Sequence, residues 1–332
     1  MNFITVRSVN RKDIWASIFL CLVMSCSIKV KGQVFFNSTQ IPNTYQHVDQ
    51  PALIGNSNGI RIIGAYRYQW TGIENAPMTL YAGADMKLPV RNLSGGIFLA
   101  YDKAGASSYT NTSLSISYAI QIKRGRLALG AKAGIYNMTL DGSRLTTPSQ
   151  NTNPNDPLIN LSKQSAIRPD VGLGVAYIHR YFQVGAFVNN VGNFKTKLNG
   201  IQTDFSTDFG RYYGLEGSAH IPTGAKFAIE PSFMLRMNGI QYQLDASLMS
   251  TFMENYSIGI GTRGYNNRSF ESLLLMARVK VLSKLSVMYS YDLVTSKLNK
   301  VSNGSHEISF MYIVPKDFSK KKVKILYHPR YL

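Results

Sequence analysis

The chain has 332 residues, and its 36 Lys and Arg outnumber 18 Asp and Glu, giving a formal charge of +18. Both cysteines, Cys21 and Cys26, lie near the N-terminus inside a leader-like stretch, so cleavage of that leader leaves no disulfide, thiolate nucleophile or Cys-based metal site. Beyond the leader no apolar run approaches the roughly 18 residues that a membrane-spanning helix requires.

In chain order, Arg7, Arg11 and Lys12 precede the apolar run Ile14 to Met24, and a polar stretch then ends at Gly32. This layout predicts a cleavable signal peptide over 1–32, with Gln33 as the mature start. Val23-Met24-Ser25-Cys26 loosely resembles a lipoprotein cleavage site and is the lesser alternative. Residues 33–58 form a pre-barrel segment.

From there the chain alternates apolar and polar residues with a period of two. In Thr112 to Ile122, Thr112, Leu114, Ile116, Tyr118, Ile120 and Ile122 share one face, while Ser113, Ser115, Ser117, Ala119 and Gln121 share the other. A helical period would mix these sets, whereas a transmembrane β-strand of about 9–11 residues needs them sorted. The pattern predicts strands over 59–70, 78–88, 95–102, 111–122, 126–136, 168–178, 180–188, 212–221, 226–237, 240–250, 256–265, 271–281, 285–293 and 306–314.

When each strand is phased by its apolar residues, its charges fall on the other face, among them Arg67, Asp85, Lys132, Glu216, Arg236, Asp245, Arg263, Asp292 and Glu307. A soluble sandwich alternates too, but its strands are usually nearer five or six residues. About fourteen long strands, an even number, predict an all-β fold: a closed antiparallel outer-membrane barrel spanning 59–314. The mixed-sign lumen has two readings, a water-filled pore or internal pairing that holds the barrel shut.

Connections alternate in length. Lys123-Arg124-Gly125 and His179 are short links, whereas Asn137 to Ile167 and Asn189 to Arg211 are long and rich in Asn, Thr, Ser, Asp and Gly. Short turns belong on the periplasmic side and long loops outside, which places both termini in the periplasm. Two outer connections break the rule: the tight Asn238-Gly239 and the short 264–270.

The basic excess gathers in turns and in the tail 315–332, which carries Lys320-Lys321-Lys322. With no basic helix or aromatic-studded sheet face, nucleic acid is a poor partner, and outer-membrane lipid headgroups or an acidic protein domain fit better. The histidines at 47, 179, 220, 306 and 328 form no H-E-x-x-H pair, so no metal or cofactor is expected. Ser305-His306-Glu307 invites comparison with barrel lipid hydrolases, but neighbours in a strand point to opposite faces, so no catalytic residue is assigned. Gly172-x-Gly174 and Gly261 to Gly264 lie within strands, where glycine relieves crowding or permits bending.

Several motifs, taken in order, resemble a known family. Gln50-Pro51-Ala52-Leu53-Ile54-Gly55 is similar to the N-P-A-x-x-G element that opens the PorP/SprF-like family of Bacteroidetes outer-membrane proteins, with Gln50 in place of Asn. Tyr66-Arg67-Tyr68-Gln69-Trp70 with Pro77 resembles its Y-R-x-Q-W…P pattern. Tyr101-Asp102-Lys103-Ala104-Gly105, Tyr289-Ser290-Tyr291-Asp292 and Gly304-Ser305-His306-Glu307-Ile308 are similar to its later landmarks. The family's Gln-Asp-Pro opening is missing, and the basic tail is longer than its pattern.

The resemblance implies a non-enzymatic component of the type IX secretion and gliding machinery. Such a barrel would support export or surface anchoring of a cognate adhesin or effector, receiving its C-terminal domain outside and meeting periplasmic secretion components inside. The alternatives are a general small-solute diffusion channel and, third, a lipid hydrolase. Arg67, Gln69 and Trp70 form a candidate cluster near the outer rim, and Asp292 and Glu307 are candidate acceptors for a lumen arginine.

Overall fold

A computed structural model describes residues 40, 44, 46–144, 163–192, 196–197, 206–207, 211–238, 241–265 and 268–315. The expected leader, the basic tail and the central part of the longest loop lie outside the described residues.

Fourteen antiparallel strands close into a barrel. They are β1 (Gly59–Tyr68), β2 (Met78–Lys87), β3 (Leu93–Ala104), β4 (Ser107–Ile122), β5 (Gly125–Asp141), β6 (Lys163–His179) and β7 (Phe182–Asn189), followed by β8 (Tyr212–Ala219), β9 (Phe227–Met237), β10 (Tyr242–Phe252), β11 (Tyr256–Tyr265), β12 (Arg268–Leu282), β13 (Leu285–Val294) and β14 (Ser305–Pro315). Each strand pairs with its sequence neighbours, and β1 pairs with β14 from Gly59↔Pro315 to Tyr68↔His306, which leaves no free edge. Closure satisfies every strand's backbone within the sheet, which a hydrocarbon environment demands. Short extra strands, Thr196–Lys197 against Ser206–Thr207 and Ile221–Pro222 against β9, stand outside this count.

The alternation sorts as the sequence predicts. On β4, Leu114, Ile116, Tyr118, Ile120 and Ile122 are exposed on the outer wall, while Asn111, Ser113, Ser115 and Ser117 are buried inside. The outer face repeats this apolar display on every side, with Leu129 and Ile135 on β5, Leu173 on β6, Leu248 on β10 and Ile258 on β11. Among the described residues no helix is long and apolar enough to cross a membrane.

Strand ends depart from expectation in three places. β4, β5 and β6 run to 16, 17 and 17 residues, so they enter what read as loop at 107–110, 137–141 and 163–167. At those strand ends Tyr109, Tyr136, Met138 and Ala166 turn inward and form a buried cluster with Leu140 against it, so the outward apolar phase that marks the rest of the wall is absent from 107–110 and 137–141. The tenth strand sits at 242–252 rather than 240–250, because Asn238 and Gln241 bracket the turn through Asn238 N–H to Gln241 O at 3.1 Å and Gln241 N–H to Asn238 Oδ1 at 3.0 Å. The β3–β4 connection shrinks to Gly105 and Ala106, with Gly105 at φ +57°, making a third tight turn on the loop side.

The lumen is full. The chain ahead of β1 lies inside the barrel: Gln40, His47, Asp49, Gln50, Ala52, Leu53 and Ile54 are all buried. A 3₁₀ turn over Pro51–Leu53 packs on β4, β5 and β6, against Ala128 and Ala176.

Candidate functional site: the plugged lumen

Seating the plug requires wall residues without side chains. A Cβ on Gly130 would collide with the Pro51–Ala52 backbone, and one on Gly174 with the Gln50 side chain. Gly185 on the next strand faces the same amide, whose Nε2–H donates to Val175 O at 3.1 Å and Ala186 O at 3.0 Å. Gln50 therefore ties β6 to β7, and its Oε1 accepts from Ala52 N at 3.3 Å. Ser117 on β4 donates to Ala52 O at 3.1 Å. Of the in-strand glycines singled out from sequence, Gly174 makes room for the chain's own N-terminal segment, whereas Gly172 is crowded by Asn189 and Lys132 and Gly261 by Ala246 and Ser247 of the wall.

Gly55 ends the plug in the left-handed region at φ +66°, and a Cβ there would strike Ser94. Its N–H donates to Asp85 Oδ1 at 2.6 Å, while Arg61 Nε reaches Asp85 Oδ2 at 2.9 Å and His47 lies 3.7 Å from the same oxygen. Further back, Asp49 takes Tyr212 Oη at 3.0 Å and faces Arg236 at 3.8 Å, and its carbonyl accepts from Asn189 Nδ2 at 3.0 Å. Gln40 crosses to the opposite wall, donating to Ser290 Oγ at 3.2 Å and Glu307 O at 3.1 Å. One segment thus spans the lumen from β5–β7 to β13–β14.

Toward the loop end the wall charges form a connected ion network. Arg67 donates to Asp292 at 2.6 Å and Glu307 at 3.2 Å; Arg263 reaches Asp245 at 2.6 Å and Asp292 at 3.4 Å; Arg236 lies 3.4 Å from Asp245. All six side chains are at most 3% exposed. Arginine suits this work because its fixed fork serves two carboxylates on different strands. On β2–β3, Thr79 donates to Asp102 at 2.5 Å, and on β5–β6, Lys132 pairs with Asp170 at 3.4 Å.

Below the network β10 steps down through Ser247, bonded to Ser232 at 2.7 Å, to Met249, which packs with Met276 and Met288 in a buried thioether layer. Thr251 comes next, beside Ser257 and Arg278. Arg278 donates to Glu230 at 2.5 Å, and His220 lies 3.0 Å from that carboxylate.

The residues singled out from sequence separate into five places. Pro51, Ala52 and Gly55 belong to the plug. Arg67, Asp292 and Glu307 meet in the ion network, with Asp102 buried on the neighbouring wall. Gln69 and Trp70 close the loop end of β1: Gln69 N–H donates to Pro77 O at 2.8 Å, and Trp70, at φ +52°, donates its N–H to Ser305 Oγ at 3.1 Å. Tyr66, Tyr291 and His306 are on the outer face, where Tyr289 Oη and His306 Nδ1 are 2.7 Å apart and the Tyr291 and His306 rings lie 5.1 Å apart. Gly105 makes its turn alone. Sequence reasoning missed Gln40, Asp49 and Tyr212 and placed Asp85 on the lumen face without its plug contact, since nothing local marks a residue as a partner for a plug; Gln50 carried a signal as a departure from the family's Asn.

Residues 42–312 match the family described as type IX secretion system membrane protein PorP/SprF. No curated protein matches the sequence. Among solved structures, the Ralstonia pickettii toluene transporter TbuX aligns with TM-score 0.51 and 10% identity over 87% of this chain and 97% of its own. The deltaS2S3 mutant of TodX, a monoaromatic hydrocarbon channel, aligns with TM-score 0.50 and 8% identity over 82% and 95%. At these identities the likeness is one of fold, that of outer-membrane barrels. With the family pattern spanning plug and barrel together, the chain belongs to the PorP/SprF family of type IX secretion system membrane proteins.

Proposed function

We propose that this outer-membrane barrel is a non-enzymatic scaffold of the type IX secretion and gliding machinery that supports export or surface anchoring of one cognate secreted protein. The carrying observation is the filled lumen: a buried plug and a six-residue ion network occupy the space that a diffusion channel would leave to water. Such a barrel acts through its two ends. The long loops after β5 and β7 serve the exported protein's C-terminal domain outside, and the short turns and both termini serve periplasmic components of the secretion system.

The hydrolase alternative loses support from the last strand. Ser305 is buried at the lumen side, where it accepts from Trp70, while His306 sits outside against Tyr289 and Tyr291.

Deletion of the gene, followed by mass spectrometry of surface-exposed and cell-retained proteins, tests the scaffold. Loss of one large adhesin-like protein from the surface is expected. An unchanged surface proteome with altered uptake of small solutes would replace the scaffold with the channel.

A further inference from the structure

We infer that the lumen end at the β8–β9, β10–β11 and β12–β13 turns is a docking pocket for an acidic peptide segment of a partner protein. A cavity of about 750 Å³ opens there, within the range of about 300–1,000 Å³ typical of ligand pockets. The buried thioether layer of Met249, Met276 and Met288 lies next along the same strands from its lining residues Thr251, Arg278 and Ser286.

Its chemistry is mixed in a way that fits a peptide. Ala228, Met311 and Ile313 give the wall apolar ground, and methionine adapts to irregular partners. Arg278 is held in place by Glu230, Ser257 and Thr251, so a preorganised polar cluster sits on the wall. The lining also carries Lys226, Lys280 and Lys284, which make no ion pair among the described residues, against two acids, Glu254 and the Glu230 already paired with Arg278. Low-dielectric walls focus the field of such a cluster onto whatever enters. Inorganic phosphate would fill a small fraction of the volume. The chain's own tail is a poor occupant, since Lys316, Lys320, Lys321, Lys322 and Lys324 bring like charge. An extended segment with alternating carboxylates and apolar side chains matches both halves of the lining.

The inference rests on the secretion reading only for the compartment that supplies the partner. The test uses the full chain in detergent and a fluorescently labelled peptide alternating Glu and Leu, followed by anisotropy. Binding is expected to weaken about tenfold in the Lys226→Gln, Lys280→Gln, Lys284→Gln triple variant and to persist in Lys123→Gln, Arg124→Gln, whose charges lie on another turn. Heat-modifiability of the band on gels confirms that each variant is folded. No binding, equal binding by the triple variant, or complete displacement by inorganic pyrophosphate, which would mark a plain anion site, each overturns the pocket. None of these outcomes bears on the deletion phenotype, so the two readings fail separately.

Discussion

The Gly55 N–H meets Asp85 Oδ1 at 2.6 Å, and this one contact fixes where the plug ends and the wall begins. Asp85 also holds Arg61 of the adjacent strand at 2.9 Å, so a single buried carboxylate joins plug, β1 and β2. The conformation that delivers the N–H is left-handed, and Ser94 leaves no room for a side chain. The family's closing glycine is therefore required by backbone geometry and by space together.

Gly55→Ala should unseat the plug while leaving the barrel closed. The left-handed backbone alone costs about 1–2 kcal/mol for a residue with a Cβ, before the contact with Ser94 is counted. Limited proteolysis should cut the variant ahead of residue 59 under conditions that spare the wild type, with the heat-modifiable band retained. Equal protection of both would show that Gly55 is not the anchor.

A second prediction concerns the groove. Gly174→Leu places a branched side chain where the Gln50 amide lies, and burial leaves that amide no alternative bed. The plug should be expelled and single-channel conductance in planar bilayers should appear, whereas wild type stays silent. A folded but silent Gly174→Leu barrel would assign the seal to the ion network instead.

Most of the wall was legible in the sequence because lipid and lumen sort every second side chain, and Leu114 to Ile122 against Ser113 to Gln121 is that rule written out. Legibility failed where the phase reverses, as at Ser107 to Thr110 and Asn137 to Asp141, where Tyr109, Met138 and Leu140 turn their apolar side chains inward rather than toward the outer wall. The ion partners were half legible: Asp292 and Glu307 stood out as acceptors on adjoining strands, but only the closure of β1 on β14 brings Arg67 to them, and Arg263 reaches Asp292 from two strands away. The plug was not legible at all from periodicity, since Gln50 and Asp49 meet residues more than a hundred positions away.

Arg67→Ala should lower stability by about 3–5 kcal/mol, the usual cost of stranding buried charge. Its two acceptors do not suffer equally: Asp292 keeps Arg263 at 3.4 Å, while Glu307 loses its arginine. Adding Glu307→Gln should therefore recover more stability than adding Asp292→Asn, read as the midpoint of the heat-modifiable transition. The reverse order would show that Asp292 is the carboxylate that depends on Arg67.

His306→Ala gives the opposite expectation. The imidazole lies on the outer wall, 2.7 Å from Tyr289 Oη and stacked obliquely on Tyr291, and reaches neither the plug nor the ion network. Loss of one exposed hydrogen bond and some ring contact costs on the order of 1 kcal/mol or less. The variant should fold, keep its plug protected from protease and export the same surface proteins as wild type. Ester release by the wild-type barrel, abolished in His306→Ala, would instead make this histidine catalytic and the scaffold reading wrong.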